Sequence, residues 1–398
     1  MSRPSSVPLS AVCDRITDGT HQPPKFSNDG VPFIFVSNIG DGRINLKTSK
    51  FITPGQHQDL TRRCPIEPGD VLYTTVGSYG NAAQVLSSAP FAFQRHIAHL
   101  KPKRDLVAPA YLAAVLNSAI VKGQVDRLVR GVAQKTLNLA ALKSVIVPLP
   151  ALREQQRIVD ILDRADALRA KRRASLALLD TLTQSTFVNM FGGGEGRWPS
   201  ATIGEVASPE NGSIRTGPFG SQLLHGEFTQ SGVAVLGIDN AVDNQFRWAA
   251  RRFIPDQKYA SLKRYTVNPG DVIITIMGTC GRCAIVPDGV PRAINTKHLC
   301  CITLDRSKCL PEFLHAYFLR HPAARRYLEQ KAKGAIMAGL NMGIIKAMPI
   351  PLVPIEAQEE FARRVAGVDK LKAAHLASLT QLDALFASLQ HRAFRGEL

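Results

Sequence analysis

No stretch of these 398 residues approaches the ~20 consecutive apolar residues that span a bilayer. The opening MSRPSSVPLSAVCDR also lacks the long apolar segment of a secretory signal, so the expected location is the cytoplasm. Cysteine is sparse, odd in number at seven and irregularly spaced, which fits a cytosolic chain that keeps its thiols reduced. There is no G-x-x-x-x-G-K-S/T loop, so ATP use by this chain is not expected. Gly192–Gly196 is glycine-rich but follows a helical pattern rather than a strand, so it is no cofactor loop. Gln22-Pro23-Pro24-Lys25 matches an amino-methyltransferase motif only in its two prolines. Pro255-Asp256-Gln257-Lys258 lacks the second, separated carboxylate of a nuclease metal site. Neither a catalytic residue nor a cofactor is expected on this chain.

Positive charge is what the chain has in excess. The formal net charge is +17, with 49 Lys and Arg against 32 Asp and Glu, which points to a polyanionic partner. Residues 1–150 carry 17 basic against 9 acidic residues, and residues 191–352 carry 19 against 12. The segments between and after them are nearly balanced. No long Lys/Arg run exists, so the charge belongs to two folded regions rather than to a disordered tail.

These two regions are copies. IEPGDVLYTTVGSYGNAAQV (66–85) corresponds to VNPGDVIITIMGTCGRCAIV (267–286) at a shift of 201. Gln94-Arg95-His96 then matches Thr296-Lys297-His298, and LNLAALKSVIVPLPALREQQRIV (137–159) matches LNMGIIKAMPIPLVPIEAQEEFA (340–362). A period near 200 residues is too long for a solenoid and denotes a duplicated globular unit with approximate two-fold symmetry. Pro-Gly-Asp makes a turn in each copy. The apolar, β-branched strands Val71–Val76 and Val272–Met277 follow. Helical segments run from Pro109 to Leu128 and from Pro311 to Lys333, and prolines at 148 and 150, and at 349, 351 and 354, stop the globular parts.

A long helix follows each stop. Leu152–Met190 contains no Gly or Pro and would be ~58 Å long. Ile158, Ile161, Ala165 and Leu168, then Leu179 and Leu182, mark its apolar seam, with a stutter expected at Arg172 and Ser175. Ile355–Phe394 carries Phe361, Val365, Val368 and Leu371, then Leu379, Leu382, Phe386 and Leu389. The two helices are expected to pack on each other, the alternative being that each folds back on its own globular unit. The reading is α+β: two β-rich domains, 1–150 and 200–352, in pseudo-two-fold tandem repeat. Helices at 151–191 and 353–398, forming an antiparallel coiled coil, separate them, and a Gly-rich linker spans 192–199.

The order of domain, helix, domain, helix, with helix starts reading P-L-P-A-L-R-E-Q-Q and P-L-V-P-I-E-A-Q-E, resembles the specificity subunit of type I restriction–modification systems. Asp18–Phe26, Gly30–Ile34 and Gly217–Ser221 add to the resemblance, which covers nearly the whole chain. It implies a non-catalytic subunit whose two target-recognition domains each read half of a split, asymmetric site in double-stranded DNA. It also implies that the helices dock two methyltransferase subunits, which restriction–translocation subunits then join. S-adenosylmethionine, ATP and Mg would belong to those partners. The second helix has Glu356-Ala357-Gln358 where the first has Arg153-Glu154-Gln155, so contacts at the two helix starts are expected to differ. A divergent methyltransferase with a fused recognition region is the competing reading.

Candidate DNA contacts lie on loops. Thr20, His21 and Lys25 occupy a Pro-rich loop. Ser78, Tyr79 and Asn81 occupy the first G-x-x-G loop, and Thr279 and Arg282 the second, unless these are merely tight hairpins. Arg95-His96 and Lys297-His298 either touch DNA or hydrogen-bond within the fold. Lys135, Arg215 and Gln222 are further candidates, since Arg and Gln side chains suit guanine and adenine edges. For the subunit interface the candidates are Ile158, Leu162, Leu176, Leu179, Leu376, Leu379 and Leu385, with Leu178 beside them. Cys280, Cys283, His298, Cys300 and Cys301 have zinc-ribbon-like spacing. The first copy places Tyr79, Ala82, His96, Ala98 and His99 there, so no metal is expected.

Overall fold

A computed structural model describes residues 4–131, 135–192, 197–248, 251–332 and 339–398. It divides into two compact units, Met1–Arg173 with Ala377–Leu398, and Ala174–Leu376. Residues 193–196 of the expected Gly-rich linker and Lys333 at the end of the expected helical segment lie outside the described residues.

In unit 1 the apolar strand after Pro-Gly-Asp is Val71–Thr74. It lies inside a four-stranded antiparallel sheet ordered Cys13–Asp18, Ile97–Pro102, Val71–Thr74, Ala82–Gln84. Every residue of that strand is buried, so both sheet faces are covered. Because side chains alternate, Val71 and Tyr73 meet helices Pro109–Leu116 and Ala119–Leu128. Leu72 meets the opposite layer, built on Val31–Ile34 with Phe51–Ile52 antiparallel and Ala92–Phe93 parallel to it. Strands Ser5–Pro8 and Ile146–Leu149 pair and close the globular part where the long helix departs.

Unit 2 repeats this frame. Its sheet is ordered Ile214–Thr216, Leu299–Ile302, Val272–Thr275, Cys283–Ile285. Val272 and Ile274 face helix Pro311–Arg320, and Ile273 faces the layer containing Val233–Leu236. That layer again holds one parallel pair, Val233–Leu236 with Ala293–Asn295. Strands Ser200–Thr202 and Pro349–Pro351 make the closing pair. Cys283 and Cys300 flank Ile274 on adjacent strands, and burial pushes their thiols up, that of Cys300 to about 12. These cysteines pack as small core residues.

The long helices span Leu152–Phe191 and Ile355–Ala393, close to the limits read from sequence. Within unit 1 the start of the first helix packs against the end of the second. Ile158, Val159 and Leu162 share a core with Phe394, and Arg169 reaches Asp383 at 2.6 Å while its guanidinium covers the Phe386 ring. Within unit 2 Phe187 and Phe191 pack on Phe361 and Phe313, and Lys372 meets Asp180 at 2.9 Å. In each unit the two helical segments run antiparallel, and each also packs on its own globular part.

The seam differs from the expected one. Inward positions on the first helix are Ile158, Leu162, Ala165, Arg169, Arg172, Leu176, Leu179 and Thr183, which is an unbroken heptad ladder. No stutter interrupts it at Arg172 and Ser175, which are both half-buried, and one turn earlier Arg169 buries its stem and directs its charge to Asp383. Leu168, Leu182 and Leu371, expected in the seam, are about half exposed at 51, 48 and 52 %.

The two helix starts share one anchor, the glutamine common to both, and differ beside it, where Glu154 meets Arg157 at 3.1 Å and the second helix has Ala357. The buried Gln155 accepts from Ala108 N and donates to Leu106 O and Pro150 O. Gln358 accepts from Leu310 N and donates to Lys308 O and Val353 O. Each glutamine thus satisfies backbone groups that neither helix nor sheet supplies.

Candidate nucleic-acid interface

In unit 1 four chain segments converge at one end of the main sheet. The Thr20 carbonyl accepts from Arg95 N, the His96 carbonyl from Thr75 N, and the Lys135 carbonyl from Gly77 N. Thr20, Arg95, His96, the first G-x-x-G loop and Lys135 therefore lie on adjoining stretches. Gly19 lets the crossing happen, since a Cβ there would sit 2.3 Å from the Phe93 carbonyl oxygen. Arg95 and Lys135 are exposed. His96 is held below the usual histidine range by burial and by Arg95, so at neutral pH it presents an uncharged imidazole. His21 is exposed beside Asp18 at 3.0 Å, and Lys25 is exposed on the same loop.

Unit 2 builds the same end with other side chains. The Thr296 carbonyl accepts from Gly217 N and the His298 carbonyl from Ile276 N. A Cβ on Gly217 would lie 2.0 Å from the Asn295 carbonyl oxygen, so this glycine repeats the role of Gly19. Thr279 and Arg282 are exposed, and Lys297 is half-buried. His298 is lowered by burial, then by Lys297 and Arg252.

Several candidates hold the fold rather than face solvent. All four G-x-x-G glycines have positive φ, and the loops are tight turns closed by Gly80 N to Thr74 O and Gly281 N to Thr275 O. The glycines serve the turn. Tyr79 is half-buried, with its hydroxyl donating to Asp126 at 3.0 Å. Asn81 ties the loop through Ser78 O, leaving Ser78 exposed. Gln222 is exposed, yet its side-chain oxygen accepts from Phe219 N and the Tyr265 hydroxyl.

Arg215 requires a correction. It is 9 % exposed, lies 2.6 Å from Asp271, and donates to Thr266 O and the Thr303 hydroxyl. It is an internal strut. Asp271 is the aspartate of Pro-Gly-Asp, whose carboxylate also caps its own turn through Asn268 N. Unit 1 keeps that aspartate as Asp70, capped by Glu67 N, and partners it differently: His99 lies at 2.6 Å and Lys101 at 3.2 Å. Burial raises the Asp70 carboxyl, but hydrogen bonds from His99, Glu67 N and Lys101 outweigh it and leave the group lowered. The strand register puts Thr17 opposite His99 and Arg215 opposite Cys301. The cation has therefore moved from one strand to its neighbour between the copies. Sequence reading missed this because Asp70 and Asp271 looked like turn residues only.

The interface candidates also divide. Ile158 and Leu162 are 2 and 4 % exposed and belong to the unit 1 core, so they present nothing to a partner. Leu176, Leu179 and Leu379 are half-buried in the seam. Leu376 and Leu385 are about half exposed, and Leu168, Leu178, Leu182 and Leu371 join them as open apolar positions.

One frame, built twice and furnished with unlike loops, defines a two-site recognition protein. Comparison places it more closely. The profile described as Type I restriction modification DNA specificity domain matches residues 21–178 and 240–381, and the chain belongs to that family. It is 23 % identical to the type I restriction enzyme EcoKI specificity subunit of Escherichia coli K12, covering 98 % of this chain and 88 % of that one. The StySPI specificity subunit of Salmonella potsdam is also 23 % identical, over 99 and 89 %. The EcoBI specificity subunit of Escherichia coli reaches 31 % over 44 % of this chain and 38 % of its own length. Two solved structures share the fold. One, from work on complex assembly and conformational transition of the type I R-M system, has TM-score 0.60 and 19 % identity over the whole of both chains. The other, the S subunit of the type I restriction–modification system of M. genitalium, has TM-score 0.56 and 12 % identity over 98 and 96 %.

Proposed function

We propose that each unit reads one half of a split, asymmetric target in double-stranded DNA, and that the chain performs no chemistry itself. The observation that carries this is the pair of equivalent loop faces with different side chains. Arg95, His96 and Lys135 stand in one, and Lys297, His298 and Arg282 in the other. Two identical readers would demand a palindrome, whereas two unlike readers on one chain do not. Exposed lysines and arginines supply phosphate contacts, and the uncharged histidines with Thr20, Ser78 and Thr279 supply base-edge contacts.

The half-exposed leucines at 168, 178, 182, 371, 376 and 385 form the docking surface for two methyltransferase subunits, which restriction–translocation subunits join. S-adenosylmethionine, ATP and Mg act on those partners, and the assembly works in the cytoplasm. No helix among the described residues is long and apolar enough to cross a membrane. The test is the methylome of the host with and without this chain: one bipartite motif should disappear. Loss of a palindromic or undivided motif, or of none, would refute the reading.

A further inference from the structure

The two units share a frame, so a place where they differ in chemistry rather than in size marks a reading position. One such place lies around Leu236–Gly237 of unit 2, where Asp239, Arg252, Asn295 and Thr296 gather. Arg252 pairs with Asp239, and a Cβ on Gly237 would collide with both. Asn295 lies opposite Leu236 in the parallel pair, and Thr296 N donates to the Leu236 carbonyl. The same Thr296 supplies the carbonyl that receives Gly217 N, so the group adjoins the proposed DNA face.

Four polar atoms of this group have neither a solvent-facing surface nor a hydrogen-bond partner: Asp239 Oδ2, Arg252 Nε, Asn295 Oδ1 and Thr296 Oγ1. They are four of the six side-chain atoms in that state among the described residues. Folded proteins retain few such groups, since each forfeits its bonds to water without recompense. Gathered at one spot, they describe a site whose hydrogen bonds await another molecule. Strand register assigns the unit 1 counterparts as Ser37, Lys50, Phe93 and Gln94. None of those carries an orphan atom, and Lys50 instead lies over the Phe26 ring.

We infer that Asp239, Arg252, Asn295 and Thr296 form a base-reading pocket particular to unit 2, and that it recognises an exocyclic amino group on a DNA base. The inference rests on the DNA-reading function proposed above. Asp239 Oδ2 only accepts, and the Thr296 hydroxyl accepts as well as donates. Asn295 Oδ1 also only accepts, but Asn295 is fully buried and donates to Leu299 O, so it lines the pocket without reaching a base. In the major groove the amino donors are adenine N6 and cytosine N4. Adenine also offers N7 beside its amino group, which suits the Arg252 donor. The Arg252 and Asp239 side chains are 34 and 28 % exposed, so a rotamer change brings them to the groove.

The test uses the full chain and a pool of randomised duplex DNA, with the selected motif read by sequencing. Thr296→Val keeps the shape and removes an orphan hydroxyl. Its melting temperature should equal or exceed that of the wild type, while its preference at one position of one half-motif falls roughly tenfold. At that position the amino-free analogue, purine for adenine or pyrimidin-2-one for cytosine, should cost the wild type about the same factor and cost Thr296→Val little more. Asp239→Asn, which exchanges an acceptor for a donor, should alter the same position and leave the other half-motif intact. An unchanged Thr296→Val motif, or binding losses that merely follow lost folding, overturns the pocket. If the wild type selects no motif, it is the DNA-reading function itself that fails.

Discussion

Substituting Arg215 by threonine, the residue that unit 1 carries at the corresponding place, separates a strut from a reader. The change removes the cation 2.6 Å from Asp271, a carboxylate only 2 % exposed, together with donors to Thr266 O and Thr303. Breaking a buried pair by deleting one partner costs about 3–5 kcal/mol. With a urea m-value of about 2–3 kcal/mol/M, the unfolding midpoint should drop by roughly 1–2 M. The assay is built into the chain, because its two tryptophans, Trp198 and Trp248, both belong to unit 2 and their fluorescence reports on that unit. Adding Cys301→His and Thr303→Lys installs the arrangement that unit 1 uses around Asp70. The triple variant should recover at least half of the lost midpoint. If Arg215→Thr unfolds where the wild type does but no longer binds DNA, Arg215 is a reader and the argument from burial is wrong.

Gln358→Ala should lower the unit 2 midpoint by the equivalent of about 2–4 kcal/mol, since three backbone groups lose a buried partner. Gln155→Ala should leave that fluorescence transition in place and be visible only by proteolysis within unit 1. His315 lies between the Asn244 and Cys283 carbonyls, to which its Nε2–H donates, and burial lowers its pKa from the usual 6.5. With the folded value below the unfolded one, its contribution is fully present above about 6.5 and is lost as the pH falls through the folded value. The melting temperature of unit 2 should therefore fall between pH 7 and 5.5, and less steeply in His315→Gln; equal slopes would refute the assignment. Leu178→Glu with Leu376→Glu, both at open positions, should reduce the two methyltransferase subunits carried by the co-expressed complex, as measured by light scattering, while DNA binding persists. Two partners retained would show that docking lies elsewhere.

The sequence by itself determined the duplication, the order of globular part and helix, and the helix limits to within a residue. These follow from local rules: prolines stop a segment, β-branched runs extend, and a 3-4 apolar pattern between the stops winds. It also placed the Pro-Gly-Asp turns, while it left the G-x-x-G loops open between DNA contact and a tight hairpin. Only the tertiary structure decided which polar residues face inward. Arg215 and Arg282 are alike in sequence, yet one meets Asp271 from a strand 56 residues away and the other stands exposed. Arg172 and Ser175 looked like a break in the seam because their polarity was visible and the half-buried places they take were not. The orphan atoms at Asp239, Arg252, Asn295 and Thr296 appear only when the parallel strands are brought together. Burial of a polar group depends on neighbours supplied by distant segments, and a one-dimensional pattern does not contain those neighbours.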